Sequence, residues 1–340
     1  MQVDALATIA LTKELITFRS LSGEERGVVS YLAEEMKRWG WNPQLLPVTP
    51  TRDNLWVQFG TPKIIFTTHL DVVPAPESLF SPILEGEKLT GRGACDAKGL
   101  AATMVAAAHN LLDKGERDFG LLFVVGEEED GIGARAASEQ LRGAGIQFII
   151  NGEPTEGLIA KAHKGAVGFT LQFSGTSCHS GYPELGKDAN RAALQLGAQL
   201  SEIDFGHSEI FGSATINIGR FDGGVSANVV SAHATLHGLI RTVTPNSEVI
   251  AKLTKVCGDG ELSVVYDVPC TELIEVPGIA SSVVSYCSDI QFFAPLCAKS
   301  VLYGPGSINR AHTDFEFITR GEIAEAIKGY EKIYRYLAAL

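Results

Sequence analysis

Three short apolar runs, Lys63–Thr68, Gly120–Val125 and Gln147–Ile150, constrain the fold of this chain more than any other feature of its sequence. A strand with one wet face alternates polar and apolar residues. These runs do not alternate, so each reads as a strand covered on both faces, as in a parallel sheet. Helical stretches separate and follow them, at Lys98–Asp113 and Gly133–Arg142. Two further amphipathic stretches, one carrying Leu6, Ile9, Ala10, Leu15 and Ile16 and the other spanning Val28–Trp39, are suited to covering the sheet. Strands alternating with helices predict an α/β domain with a mixed, mainly parallel sheet.

Past residue 163 the pattern changes. Strand Ala166–Phe173, helix Asp188–Glu202, strand Ala214–Gly219, strand Asn228–Arg241, helix Ser247–Val256 and strand Glu261–Tyr266 follow in the order βαββαβ, the order of a ferredoxin-like unit. Within Asn228–Arg241, Ser231, His233, Thr235 and His237 fall on one face and Ala232, Ala234, Leu236 and Ile240 on the other, which predicts a half-buried strand. From about 272 the α/β pattern returns, with a helix expected at Ile279–Cys287, a strand at Ser300–Tyr303 and a last helix at Arg320–Leu340. The simplest topology is a discontinuous α/β domain of residues 1–162 and 273–340, interrupted by an inserted domain of 163–272, with hinges near 161–165 and 268–274.

Composition narrows the function. The 340 residues carry 28 Lys and Arg against 40 Asp and Glu, a net charge of −12. Such a surface repels phosphate backbones, and no basic patch offsets it, so nucleic acid is not an expected partner. Apolar stretches such as Ala101–Ala108 fall well short of the roughly 20 residues that span a bilayer. The start of the chain lacks a basic region followed by an apolar core, and Cys95, Cys178, Cys257, Cys270, Cys287 and Cys297 show no CxxC spacing. A cytoplasmic protein with free thiols is the expectation.

Acidic and imidazole groups gather just after the ends of the three runs, where open α/β sheets place their ligands. His69 and Asp71 follow the first run, Glu127 and Glu128 the second, and Glu153 the third. On an extended segment His69 and Asp71 project to one side, and imidazole with carboxylate is a donor set that suits zinc. Each group also has a plainer reading. Asp96, in Gly91-Arg92-Gly93-Ala94-Cys95-Asp96-Ala97-Lys98-Gly99, is placed to cap a helix. Glu127-Glu128-Glu129-Asp130 reads equally as a solvated acidic turn, Glu153-Pro154-Thr155-Glu156 as an ordinary turn, and His312 as a structural residue. His179, in a loop of small residues, fits a surface position, a nucleophile's partner or a group that polarises a carbonyl. His109, His163, His207, His233 and His237 are assigned no role.

Taken together, six segments in order resemble the M20 metallopeptidases and deacylases. They are Thr68-His69-Leu70-Asp71-Val72-Val73-Pro74, Gly91–Gly99, Gly126-Glu127-Glu128-Glu129, Gly152-Glu153-Pro154-Thr155, Cys178-His179-Ser180 and Ala311-His312. The resemblance implies a catalytic domain with two Zn²⁺ ions, for which Co²⁺ or Mn²⁺ substitute. Asp96 would bridge the metals, with His69 and Glu153 on one and Glu128 and His312 on the other. Asp71 would hold the free ring nitrogen of His69, Glu127 would be the general base, and a cis peptide would join Asp96 to Ala97. The insert would be a lid and dimerisation domain, from which His179 reaches the partner subunit's site to stabilise the oxyanion.

Arg241 and Asn228, with Gly306 and Ser307, resemble the family's substrate-binding elements and point to the acetylornithine deacetylase branch. The implied substrate is a small N-acyl amino acid, and the implied assembly a homodimer through residues 163–272. Succinyl-diaminopimelate, N-acetylcitrulline, a carrier-bound lysine and dipeptides or peptide C-termini remain alternative substrates. A hydrolase using Ser177, Cys178 or Ser180 lacks the GxSxG elbow. A metal-binding interaction protein would have no need of Glu127.

Overall fold

The computed structural model describes residues 4–297 and 299–340. Its chain divides into two compact units, one of Met1–Lys161, Leu273–Ser282 and Ser288–Leu340, the other of Ala162–Glu272 and Val283–Cys287.

The first unit is built on a mixed sheet. Across it lie the strands Gln44–Thr49, Arg52–Phe59, Phe119–Val124, Ile64–His69, Phe148–Asn151, Ser300–Leu302 and Ile159–His163. The middle four, Phe119–Val124 through Ser300–Leu302, are parallel, and the outer pairings are antiparallel. The absence of alternation in the sequence follows from burial on both faces. Ile64, Phe66, Leu121, Phe123, Phe148 and Ile150 pack among the helices Ala5–Ile16, Arg26–Arg38, Lys98–Asp113 and Arg320–Ala338. Ile65, Leu122, Val124 and Ile149 point the other way, onto the helix Ile132–Gln140. The last helix begins at a capping box in which Thr319 and Glu322 satisfy each other's backbone amides.

The second unit follows the order Gly165–Ser174, Ala189–Ser201, Thr215–Gly223, His233–Thr242, Asn246–Val256 and Glu261–Val268, which is βαββαβ. Its sheet is antiparallel, in the order Thr215–Gly223, His233–Thr242, Gly165–Ser174, Glu261–Val268. Val167, Phe169, Leu171, Phe173, Ala234, Leu236 and Ile240 form its core with the two helices.

Two expectations are corrected. Ile279–Cys287 is not a helix; Ser281–Val284 is a strand. In the run Ser281-Ser282-Val283-Val284, β-branched side chains lose rotamers in a helix and serines compete for its backbone bonds, so extension is favoured. The strand expected from Asn228 begins only at His233. Upstream, the backbone of Asn228, Val230, Ser231 and Ala232 pairs with Ser180, Cys178, Ala189 and Gly175, which removes it from the sheet ladder. All six cysteines are free, and among the described residues no helix is long and apolar enough to cross a membrane.

Phe66 is fully buried beneath Phe119, Tyr330 and Tyr334, with ring centroids 5.8, 6.0 and 6.3 Å away. Phe66→Ala is therefore expected to destabilise the first unit by about 3–5 kcal/mol, measured as a lowered urea midpoint. A change below about 1 kcal/mol would mean that the two-faced burial is wrong.

Candidate metal centre

Sheet order places the polar groups side by side. His69 ends its strand, which lies between the strands that lead into Glu127-Glu128 and Glu153. Asp96 comes from the turn before the helix Lys98–Asp113, and His312 from the loop after Ser300–Leu302. Ligand atoms of His69, Asp96 and Glu153 all lie within 4.8 Å of one another, as do those of Asp96, Glu128 and His312. Asp96 belongs to both groups. Its Oδ1 is 3.1 Å from His69 Nε2, and its Oδ2 is 3.5 Å from His312 Nε2. His312 Nε2 is in turn 2.9 Å from Glu128 Oε1. The helix-cap reading of Asp96 fails, because the N-cap is Ala97 and no side chain bonds there. The Asp96–Ala97 peptide is cis.

Too many carboxyl groups share this place for all to ionise easily. Burial and then Glu153 push the Glu127 carboxyl well above the ordinary range, and burial and then Asp96 do the same to Glu153. Burial raises Glu128, with His312 opposing. Asp96 is held low in spite of its burial, because His312 and His69 both bond it. Burial disfavours the His69 cation, yet Asp71, Asp96 and Glu127 outweigh it and raise the imidazole well above its usual value.

The turn carrying Glu127 and Glu128 is fixed from beneath by Asp71. Its Oδ1 accepts the Glu127 amide at 3.2 Å and its Oδ2 the Glu128 amide at 3.1 Å and the Ser22 hydroxyl at 2.7 Å. His69 Nδ1 is 3.0 Å from the Asp71 carbonyl and 3.5 Å from its carboxylate. Gly126, at φ +76°, has Arg52 Nη2 2.6 Å from where a Cβ would stand, and Arg52 is clamped by the buried Glu25. Ser22, Glu25, Arg52, Arg92, Glu316 and Asp289 were not singled out in the sequence. Asp289 is 2 % exposed, its Oδ1 has no hydrogen-bond partner among the described residues, and burial pushes it up to about 7. Glu316 carried a legible signal as a lone acid between Phe315 and Phe317.

The other predicted residues are placed as follows. Gly306 and Ser307 lie in the first unit as supports: a Cβ on Gly306 would stand 2.5 Å from that of Cys95, and the Ser307 hydroxyl donates to Glu156. His179, Asn228 and Arg241 belong to the second unit. There Ser180 donates to the Asn228 carbonyl at 3.0 Å, so the His179 and Asn228 segments run together. Arg241 Nη1 is 3.6 Å from Cys287 Sγ. The Cys178 thiol donates to the Tyr182 carbonyl at 3.3 Å, and His179 Nδ1 accepts the Gly181 amide at 3.1 Å rather than the thiol.

Two imidazoles and three carboxylates at this spacing fit a pair of borderline divalent cations. Protons compete for the same donors. Hydrogen bonds donated by its ring to the Asp96 and Glu128 carboxylates raise His312 to about 10 from 6.5. In metal-free protein this contribution to stability is complete below the unfolded value of about 6.5 and is lost as pH rises through about 10. Denaturation midpoints of chelated protein should thus fall across that window, and His312→Gln should flatten the fall; an unchanged slope in the variant would contradict the pairing.

Comparison with known proteins places the chain in a family. A Peptidase M20 domain-containing protein of Schizosaccharomyces pombe is 36% identical over 342 residues, covering 96% of this chain and 84% of its own length. A probable carboxypeptidase of Aspergillus flavus is 32% identical, covering 97% and 87%. Among solved structures, a tripeptidase from Staphylococcus aureus superposes with a TM-score of 0.81 at 20% identity, covering 100% of both chains, which is a likeness of fold. Residues 65–336 match the peptidase family M20/M25/M40, and the chain belongs to that family.

Proposed function

We propose that this protein is a two-metal amide hydrolase that cleaves a peptide or N-acyl bond whose amine half bears a free carboxylate. The observation that carries the reading is the pair of donor groups sharing Asp96, with Glu127 Oε2 4.0 Å from His69 Nε2. His69, Asp96 and Glu153 would hold one cation, and Asp96, Glu128 and His312 the other, with Zn²⁺ first and Co²⁺ or Mn²⁺ as substitutes. Such ions supply Lewis acidity and lower the pKa of water from 15.7 to about 7.

Glu127 takes a proton from the attacking water on its carboxylate and delivers it to the departing amine. Burial among acids raises its proton affinity in the metal-free chain, and cations held by the neighbouring carboxylates would offset that rise and leave Glu127 ionised to take the proton. Asp71 keeps Glu127 and Glu128 in place through their amides. His179 accepts at Nδ1, so its proton sits on Nε2, the atom suited to donate to an oxyanion. Arg241 and Asn228 are assigned to the substrate carboxylate, where a planar guanidinium binds two oxygens at once.

Relatives named as carboxypeptidases favour peptide C-termini. N-acyl amino acids, acetylornithine among them, present the same amide and carboxylate and belong in the same assay. A homodimer through residues 163–272 is part of the proposal, supported by edge strands that expose Val264, Val265 and Tyr266 on one side and Phe221 on the other.

The tests are direct. Amine release from dipeptides, tripeptides, N-acetylornithine and N-succinyl-diaminopimelate should require Zn²⁺ or Co²⁺ and stop with chelator. Silence on all of them with metal bound would remove the reading. Glu127→Gln should lower kcat by about 10²–10⁴ at unchanged metal content, whereas Asp96→Ala should lose metal and activity together; equal kcat in Glu127→Gln and parent would exclude Glu127 as the base.

A further inference from the structure

Glu316 is a charged residue buried completely beside the site, without being one of its donors. Its Oε1 accepts the amides of Cys95 at 3.0 Å and of Asp96 at 3.1 Å. Its Oε2 accepts Arg92 Nη1 at 2.6 Å, and Arg92 is itself 2 % exposed. The Glu316 carbonyl receives the Gly91 amide at 3.1 Å. One residue therefore ties both ends of the Gly91–Asp96 turn. It does so four positions after His312 in the sequence, on the same segment that delivers that imidazole.

The two groups of donors depend on this tie unequally. His69 and Glu153 emerge from neighbouring strands, Ile64–His69 and Phe148–Asn151, which the sheet ladder holds in register. Asp96 is the member of their group whose amide bonds Glu316. In the other group, both Asp96 and His312 lie on segments that Glu316 fastens together, and His312 sits at φ +61°, a backbone state that a non-glycine residue adopts only when its surroundings hold it there. We propose that Glu316, clamped by Arg92, is a positioning residue that sets Asp96 against His312 and so governs the second cation site, that of Asp96, Glu128 and His312, more than the first. This rests on the two-metal reading above.

The side chain's chemistry matches the task. An ionised carboxylate accepts several donors at once, and it is matched here by two amides and a guanidinium. Gln at this position keeps the shape and one carbonyl oxygen, but turns an NH₂ group toward Arg92 and leaves the guanidinium unpaired. Supports of this kind change metal affinity by about 10–100-fold when lost.

The experiment is a calorimetric titration of chelator-stripped protein with Co²⁺ alone, repeated by visible absorption, on the parent, on Glu316→Gln and on Glu331→Gln. Glu331 is a buried acid paired with Lys114 and Arg335 on the last helix, and serves as the control for general loss of a buried ion pair. The parent and Glu331→Gln should take two equivalents. Glu316→Gln should bind the first within a few-fold of the parent and the second about 10–100-fold more weakly, with kcat falling and KM nearly constant at limiting metal. If the single variant does not accumulate as folded protein, Arg92→Met in the same chain removes the unpaired guanidinium and the same titration applies. Folded variants that bind both equivalents with parental affinity would overturn the proposal, as would equal weakening of both. A parent that binds fewer than two equivalents would instead remove the two-metal reading, and the role of Glu316 with it.

Discussion

Repulsion among carboxylates in a protected place is the interaction on which the rest of this molecule turns. Asp71, Asp96, Glu127, Glu128, Glu153 and Asp289 act on one another around two imidazoles at the ends of buried strands. Burial removes the water that would screen them, so the cluster carries more negative charge than His69 and His312 balance. Proton uptake relieves it in the bare protein, and divalent cations would relieve it better because they satisfy several oxygens at once. The fold holds the groups in spite of the strain by anchoring their backbones: the sheet ladder for His69 and Glu153, Asp71 for the Glu127 turn, and Glu316 for Asp96.

Much of this was legible in the sequence, for physical reasons. Lys63–Thr68, Gly120–Val125 and Gln147–Ile150 had to be covered on both faces, and strands of that kind carry ligands at their carboxyl ends. The observed strands Ile64–His69, Phe119–Val124 and Phe148–Asn151 differ from them by a single residue at each end. The βαββαβ order of the second unit was equally visible, since helix and strand periods do not imitate each other over such lengths.

What the sequence concealed were interactions between distant segments. Nothing in the spacing of Ser22, Arg52 or Arg92 shows that they meet Asp71, Glu25 and Glu316. Ser281–Val284 looks helical in the sequence because its neighbours Ile279 and Tyr286 give it a helical apolar spacing, while its own serines and valines favour extension. Similarly, the loop around Asn228 continues an alternating pattern, yet its backbone bonds are taken by the Cys178–Ser180 segment.

The proposed function requires that Asp96 be shared by two cations. Anomalous diffraction at the cobalt edge, from crystals grown with Co²⁺, tests it most directly. Two peaks are expected, both touching Asp96, one beside His69 and Glu153 and the other beside Glu128 and His312. A single peak at full Co²⁺ saturation, or peaks that leave Asp96 untouched, would contradict the account.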